Sequence, residues 1–146
     1  MSIPDFDQFG NLPPGIYFCA WEEFIDRFET TPQRSRLIQG LTQAMLILKT
    51  AGCRTIYING SFVTNKAKPN DFDACWDVDG VDIDYLKTNA PKLLNCIDQK
   101  AKYKGELFPS EWVVDELGTQ AIELFQVDKK QNRKGIIAID LIRWEK

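Results

Sequence analysis

Residues 54–73 decide how this chain is read: Arg54-Thr-Ile-Tyr-Ile-Asn59, then Gly60-Ser61, nine further residues, and Asp71-Phe72-Asp73. Ile56 and Ile58 alternate with Thr55, Tyr57 and Asn59, the period of a strand with one buried face. Gly60-Ser61 ends that strand, and a polar turn runs from Asn65 to Asn70. From Asp71 to Val78 the alternation resumes: Phe72, Ala74, Trp76 and Val78 share one face, and Asp71, Asp73, Cys75 and Asp77 the other. On a strand, residues i and i+2 point the same way with Cα atoms about 6.6 Å apart. Asp71 and Asp73 therefore present two carboxylates from one face while Phe72 anchors the strand in the core. Two close carboxylates repel, so without a cation one of them holds its proton more tightly. A divalent metal removes that conflict. Magnesium prefers oxygen ligands, accepts one or two carboxylates and completes its shell with water and phosphate; two ions about 3.5–4 Å apart could be bridged by such a pair. Upstream, glycine at position 60 lets the backbone approach a phosphate closely, and the Ser61 hydroxyl and the N–H groups after it are phosphate donors.

Outward from this segment, the chain reads as one α+β domain. Residues 1–16 form an extended arm in which Pro4, Pro13, Pro14 and Gly15 forbid a helix; residues 17–146 form the domain. Trp21, Phe24, Ile25 and Phe28 fall on one face of a short helix. Thr31-Pro32 is a helix start, a hydroxyl cap followed by proline at the first helical position, and an apolar stripe from Leu37 to Leu48 continues to a left-handed stop at Gly52. Val81 to Tyr103 reads as helix broken before Pro91. Glu111 to Leu117 reads as a short helix, and Ala121 to Val127 and Gly135 to Trp144 as two strands joined by a basic hairpin turn.

Composition removes several functions. The 146 residues contain no histidine, so Ser-His-Asp and Cys-His chemistry and histidine-ligated metals are excluded within this chain. The apolar runs are far shorter than the roughly 20 residues of a membrane span, and no secretory leader is expected at the acidic N-terminus. Lys and Arg total 18 against 21 Asp and Glu, a net charge of −3, which disfavours sequence-blind coating of nucleic acid. The cysteines at 19, 53, 75 and 96 form no CxxC pair and read as buried reduced thiols of a cytoplasmic protein rather than zinc ligands.

The string Gly60-Ser61-Phe62-Val63-Thr64-Asn65-Lys66-Ala67-Lys68-Pro69-Asn70-Asp71-Phe72-Asp73 resembles the signature of the nucleotidyltransferase superfamily, which includes beta-type DNA polymerases and the minimal bacterial members of toxin–antitoxin pairs. That signature is a hydrophobic residue, Gly-Ser, about nine to thirteen residues, then acid–hydrophobic–acid. The resemblance implies a mixed β-sheet flanked by helices. It also implies magnesium held by Asp71, Asp73 and a third carboxylate on a later strand, with a nucleoside triphosphate bound at Gly60 and Ser61. Asp140, flanked by Ile139 and Leu141, matches the third acid and would help activate the attacking hydroxyl; Glu123 is the runner-up. Asn65 stands where the family has glycine, and asparagine accepts a left-handed turn better than most residues. Thr64 replaces the family's arginine, with Lys66 or Lys68 to supply the charge. The implied reaction moves a nucleoside monophosphate to a hydroxyl of a protein, an RNA or a small molecule. The alternative is an antitoxin-like or regulatory module that keeps the fold with little or no catalysis and binds a toxin-like protein.

Each residue also has a plainer reading. Asp71 and Asp73 would fit a solvated strand face, Ser61 a turn cap, and Asp140 a salt bridge to Lys66 or Arg143. Asp77, Asp79 and Asp82 around Gly80 lack the glutamate of a calcium loop and read as a turn and helix cap.

Overall fold

The computed structural model describes residues 3–112, 117–127 and 132–145, with Cys96 described by its backbone alone. The first elements are β1 (Ile16–Phe18), α1 (Trp21–Phe28), α2 (Pro32–Thr50) and β2 (Thr55–Asn59). A 3-10 turn over Gly60–Val63 leads to β3 (Phe72–Trp76) and α3 (Ile83–Asn89). A second 3-10 turn at Pro91–Leu94 precedes α4 (Cys96–Tyr103), β4 (Gly105–Pro109), α5 (Ala121–Leu124) and β5 (Ile136–Asp140). The strands form a mixed sheet in the order β1-β5-β2-β3-β4. Central β2 is antiparallel to both neighbours, and the outer pairs β1·β5 and β3·β4 are parallel. The fold is α+β, as the sequence indicates. Among the described residues no helix is long and apolar enough to cross a membrane.

The alternation of β2 and β3 sorts the sheet into two faces. Ile56, Ile58, Phe72, Ala74 and Trp76 lie in the core, joined by Ile137 and Ile139 from β5 and Leu107 from β4. The long helix α2 covers this face with Leu37, Leu41, Ala44, Met45 and Leu48, all buried. Each of the leucine and methionine side chains contributes about 1.5–3 kcal/mol by leaving water. Its start and stop are those expected: the Thr31 side chain accepts from the Arg34 N–H at 3.2 Å, Pro32 opens the first turn, and Gly52 follows at φ +98. The arm before the domain is not loose. Ile3 and Leu12 are in the core, Arg27 Nη2 donates to the Pro4 carbonyl at 2.8 Å, and its guanidinium lies 4.3 Å from the Phe6 ring centre.

Gly40 in α2 sets the position of α4. A Cβ there would sit 1.9 Å from the Tyr103 carbonyl oxygen, so only glycine lets the end of α4 reach α2. Gln99 fixes α4 from its other side. Buried at 2% exposure, it donates to the Leu107 carbonyl at 2.7 Å and accepts from the Leu107 N–H at 3.1 Å.

Several expectations are corrected. Residues 121–127 carry no sheet strand: Ala121–Leu124 is a helical turn, because a short apolar run satisfies both periods. The last strand stops at Asp140, not Trp144: the Asp140 carboxylate accepts the Ile142 N–H at 3.0 Å and the Trp144 N–H closes onto the Asp140 carbonyl, turning the chain. The 81–103 helix is two helices separated by the Pro91–Leu94 turn, with the break where proline predicts it. Gly105–Pro109, to which the sequence reading assigns no element, is the strand β4; it begins one residue after Lys104, which turns the chain at φ 71. Asn65 is not left-handed. Of the predicted 111–117 helix, residues 113–116 lie outside the described residues, as do residues 128–131 of the basic turn.

Arg34 ties the motif loop to α2. Its side chain is 2% exposed and pairs with no carboxylate among the described residues. All five of its N–H groups go to backbone carbonyls: Nε to Lys66 at 3.1 Å, Nη1 to Phe28 at 3.3 Å and Phe62 at 2.6 Å, and Nη2 to Thr64 at 2.9 Å and Lys66 at 2.5 Å. Burial pushes the guanidinium pKa down from its ordinary value. Arg34→Met strands four carbonyls, each costing about 1–3 kcal/mol if unsatisfied. Urea unfolding should show a loss on the order of 3–5 kcal/mol, with Arg34→Lys intermediate.

Candidate functional site

β2 and β3 pair so that Asn59 lies opposite Asp73, and β3 and β4 pair so that Asp73 lies opposite Glu106. Partners in register share a face. Asn59, Asp73 and Glu106 therefore stand in a row across one end of the sheet, with Asp71 immediately before β3. Gly60 is required here twice over. Its φ is +77, and a Cβ would come within 2.5 Å of Asp73 Oδ2. The 3-10 turn that follows is closed by the Thr64 N–H and hydroxyl, both donating to the Ser61 carbonyl at 3.3 and 2.7 Å; the Ser61 hydroxyl is not consumed in closing it. Lys66 enters the structure through its carbonyl, held by Arg34, while its side chain is exposed.

The electrostatics mark this end of the sheet. The Asp73 carboxyl is pushed up to about 6, first by burial and then by the charges of Asp71 and Glu106; Lys134 and Lys100 pull it back. The conflict expected from the Asp71–Asp73 spacing is present, and Glu106 sharpens it. Lys100 on α4 answers part of it: its ammonium lies 2.9 Å from Glu106 Oε1 and 3.5 Å from Asp71 Oδ2, and Glu106 first, then Asp71, raise its pKa. Beside Asp73, the Asn59 side chain is 1% exposed, and neither its Nδ2 nor its Oδ1 has a hydrogen-bond partner among the described residues. Among those residues no three His, Cys, Asp or Glu groups stand close enough together, as arranged here, to hold a metal ion.

The structure does not bring Asp140 to this site. Asp140 pairs with Thr55, at the opposite end of β2 from Asn59. Four strand residues and two strand spacings separate it from Asp73, roughly 15 Å. Its carboxylate caps the turn at Ile142 and pairs with Arg143 Nε at 3.6 Å, the plainer role open to it. Glu123 is exposed on α5, away from any strand. The acid that shares the site with Asp71 and Asp73 is Glu106, which the sequence reading missed. The usable signal was Gly105-Glu106-Leu107, an acid before an apolar residue, hidden behind a lysine-rich helix end. A cavity of about 610 Å³ lies at the Asp140 end, between Phe18, Trp21, Asp140, Arg143 and Trp144. It is remote from the charge-strained carboxylates, and the strained charge, not concavity, locates the candidate site.

The other polar groups are structural. Asp77 accepts from the Tyr57 hydroxyl at 3.2 Å and the Ser110 hydroxyl at 3.0 Å, and Asp82 caps α3 at the Tyr85 N–H. Cys19, Cys53 and Cys75 are free thiols that burial pushes up, the first two to about 12, which makes them unreactive.

The fold and site thus define an α+β domain with a crowded acidic patch at one end of a mixed sheet. The chain belongs to a family described as "Family of unknown function (DUF6932)", whose match covers residues 4–140. No curated protein and no solved structure matches it.

Because the Asp73 pKa is higher in the folded chain than in the unfolded one, its penalty is absent below about pH 4 and grows as pH rises through about 6. Asp73→Asn should therefore stabilise the protein at pH 7.5, by on the order of 1–3 kcal/mol, and have little effect at pH 4. Thermal melts of both proteins across that range check the sign.

Proposed function

We propose that the chain is a magnesium-dependent nucleotidyltransferase of the superfamily its motif resembles, with Glu106 in the place expected for Asp140. The observation that carries this reading is the register of Asp73 with Glu106, beside the Gly60-Ser61 turn. The donor set suits a hard divalent cation: oxygen ligands only, on one face, with more negative charge than the neighbouring lysines neutralise. Asp71, Asp73 and Glu106 would hold magnesium, which supplies charge neutralisation of the triphosphate and lowers the pKa of a bound hydroxyl. Gly60 lets the turn close against the Asp73 carboxylate, and the Ser61 hydroxyl donates to phosphate oxygens. Glu106 accepts the proton of the attacking hydroxyl of a protein, RNA or small-molecule acceptor, and the nucleoside monophosphate is transferred with loss of pyrophosphate.

A second reading, a regulatory or antitoxin-like module that binds a protein partner with little or no catalysis, draws on one observation: Lys100 already pairs with two of the three carboxylates. Transfer of an α-phosphate label from each nucleoside triphosphate separates the two. Under the enzymatic reading, Asp71→Asn with Asp73→Asn, or Glu106→Gln alone, lowers magnesium-dependent transfer by about 100-fold or more, while Asp140→Asn leaves it within about twofold. Equal loss in Asp140→Asn, or no label transfer by the unaltered chain to any acceptor, overturns it.

A further inference from the structure

Lys100 stands between Asp71 and Glu106, two of the carboxylates proposed above to hold a divalent cation. Its ammonium touches both carboxylates, and it comes from a helix, not from the sheet that carries them. The backbone beneath it is fixed: the preceding residue, Gln99, is bonded to the Leu107 N–H and carbonyl on β4, and the end of α4 abuts Gly40. The Lys100 side chain is half exposed, at 53%, and its four-carbon stem is flexible. The ammonium can therefore leave the carboxylates by rotation of its own side chain, with no movement of α4.

We propose that Lys100 is a built-in counter-ion that competes with the divalent cation for Asp71 and Glu106 and, once displaced, turns its ammonium to the polyphosphate of the bound nucleotide. The inference rests on the metal-holding role of Asp71, Asp73 and Glu106 proposed above. A single positive charge cannot share this site with a doubly charged ion a few ångströms away without strong repulsion. Metal entry and lysine departure are thus one event, and a polyphosphate arriving with the metal offers the departing ammonium a new partner. The arrangement offsets part of the charge of Asp71 and Glu106 in the resting protein and favours metal and nucleotide entering together. Lys100 is a positioning residue in this scheme, with an effect on metal affinity opposite in sign to that of a structural lysine.

The test is manganese binding, read by the loss of the free-ion paramagnetic resonance signal, for the full chain, Lys100→Met and Lys100→Arg, each checked for folding by thermal melting. Lys100→Met should bind manganese about tenfold more tightly than the unaltered chain, and Lys100→Arg should restore the original affinity. With manganese saturating, a non-hydrolysable nucleoside triphosphate should bind Lys100→Met about tenfold more weakly. If the unaltered chain binds manganese and Lys100→Met binds it no more tightly, the counter-ion role is overturned and the metal site stands. If none of the three binds manganese, the metal-site reading fails and this one with it.

Discussion

The buried guanidinium of Arg34 is the constraint on which the site geometry depends. A charge placed in the core without a carboxylate is expensive, and here it is accommodated only because five donors meet carbonyls of Phe28, Phe62, Thr64 and Lys66. Three of those carbonyls belong to the stretch just after Gly60-Ser61. The loop between β2 and β3 is therefore held to α2 at its backbone, whatever its exposed side chains do. Phe62, buried beneath the guanidinium and packed with Phe24 and Phe28, completes the clamp. The position of Gly60 against Asp73 follows from a residue that lies almost thirty positions earlier in the chain.

Much of the fold was legible because the relevant patterns are local. The alternation through β2 and β3, the Thr31-Pro32 start and the Gly52 stop each depend on neighbours within a few residues. The Asp71–Asp73 conflict was legible for the same reason: the spacing of a strand sets it. The third carboxylate was not, because it depends on which strand lies beside β3. Asp140 had the better local sequence, an acid in an apolar strand, yet strand order put β5 on the far side of β2. Glu106 had a poor local sequence and the right neighbour. Arg34 was invisible for a related reason: its partners are carbonyls, which carry no side-chain signature. The 121–127 segment failed differently, since seven mixed apolar residues suit helix and strand alike until something packs on them.

Charge balance at the sheet end ties these observations together. Asp73 is kept partly unsatisfied by burial and by its own neighbours, and Asn59 is buried next to it without partners. Unsatisfied groups of this kind oppose folding. Elsewhere Asp77, Asp82 and Asp140 are each matched to donors. The contrast between matched acids elsewhere and crowded acids here is what singles out this end of the sheet as the candidate site.

The pairing of β1 with β5 has a consequence for how the molecule comes into being. Ile16 aligns with Ile136, so the first strand of this sheet in chain order can find its place only after the last of the five has been made. Until then β2 lacks one neighbour, and Ile137 and Ile139 are missing from the core. Such a long-range closure slows folding and leaves an open sheet edge in the meantime. During synthesis, the arm that carries Ile3 and Leu12 must wait unpaired while the rest of the chain assembles around α2.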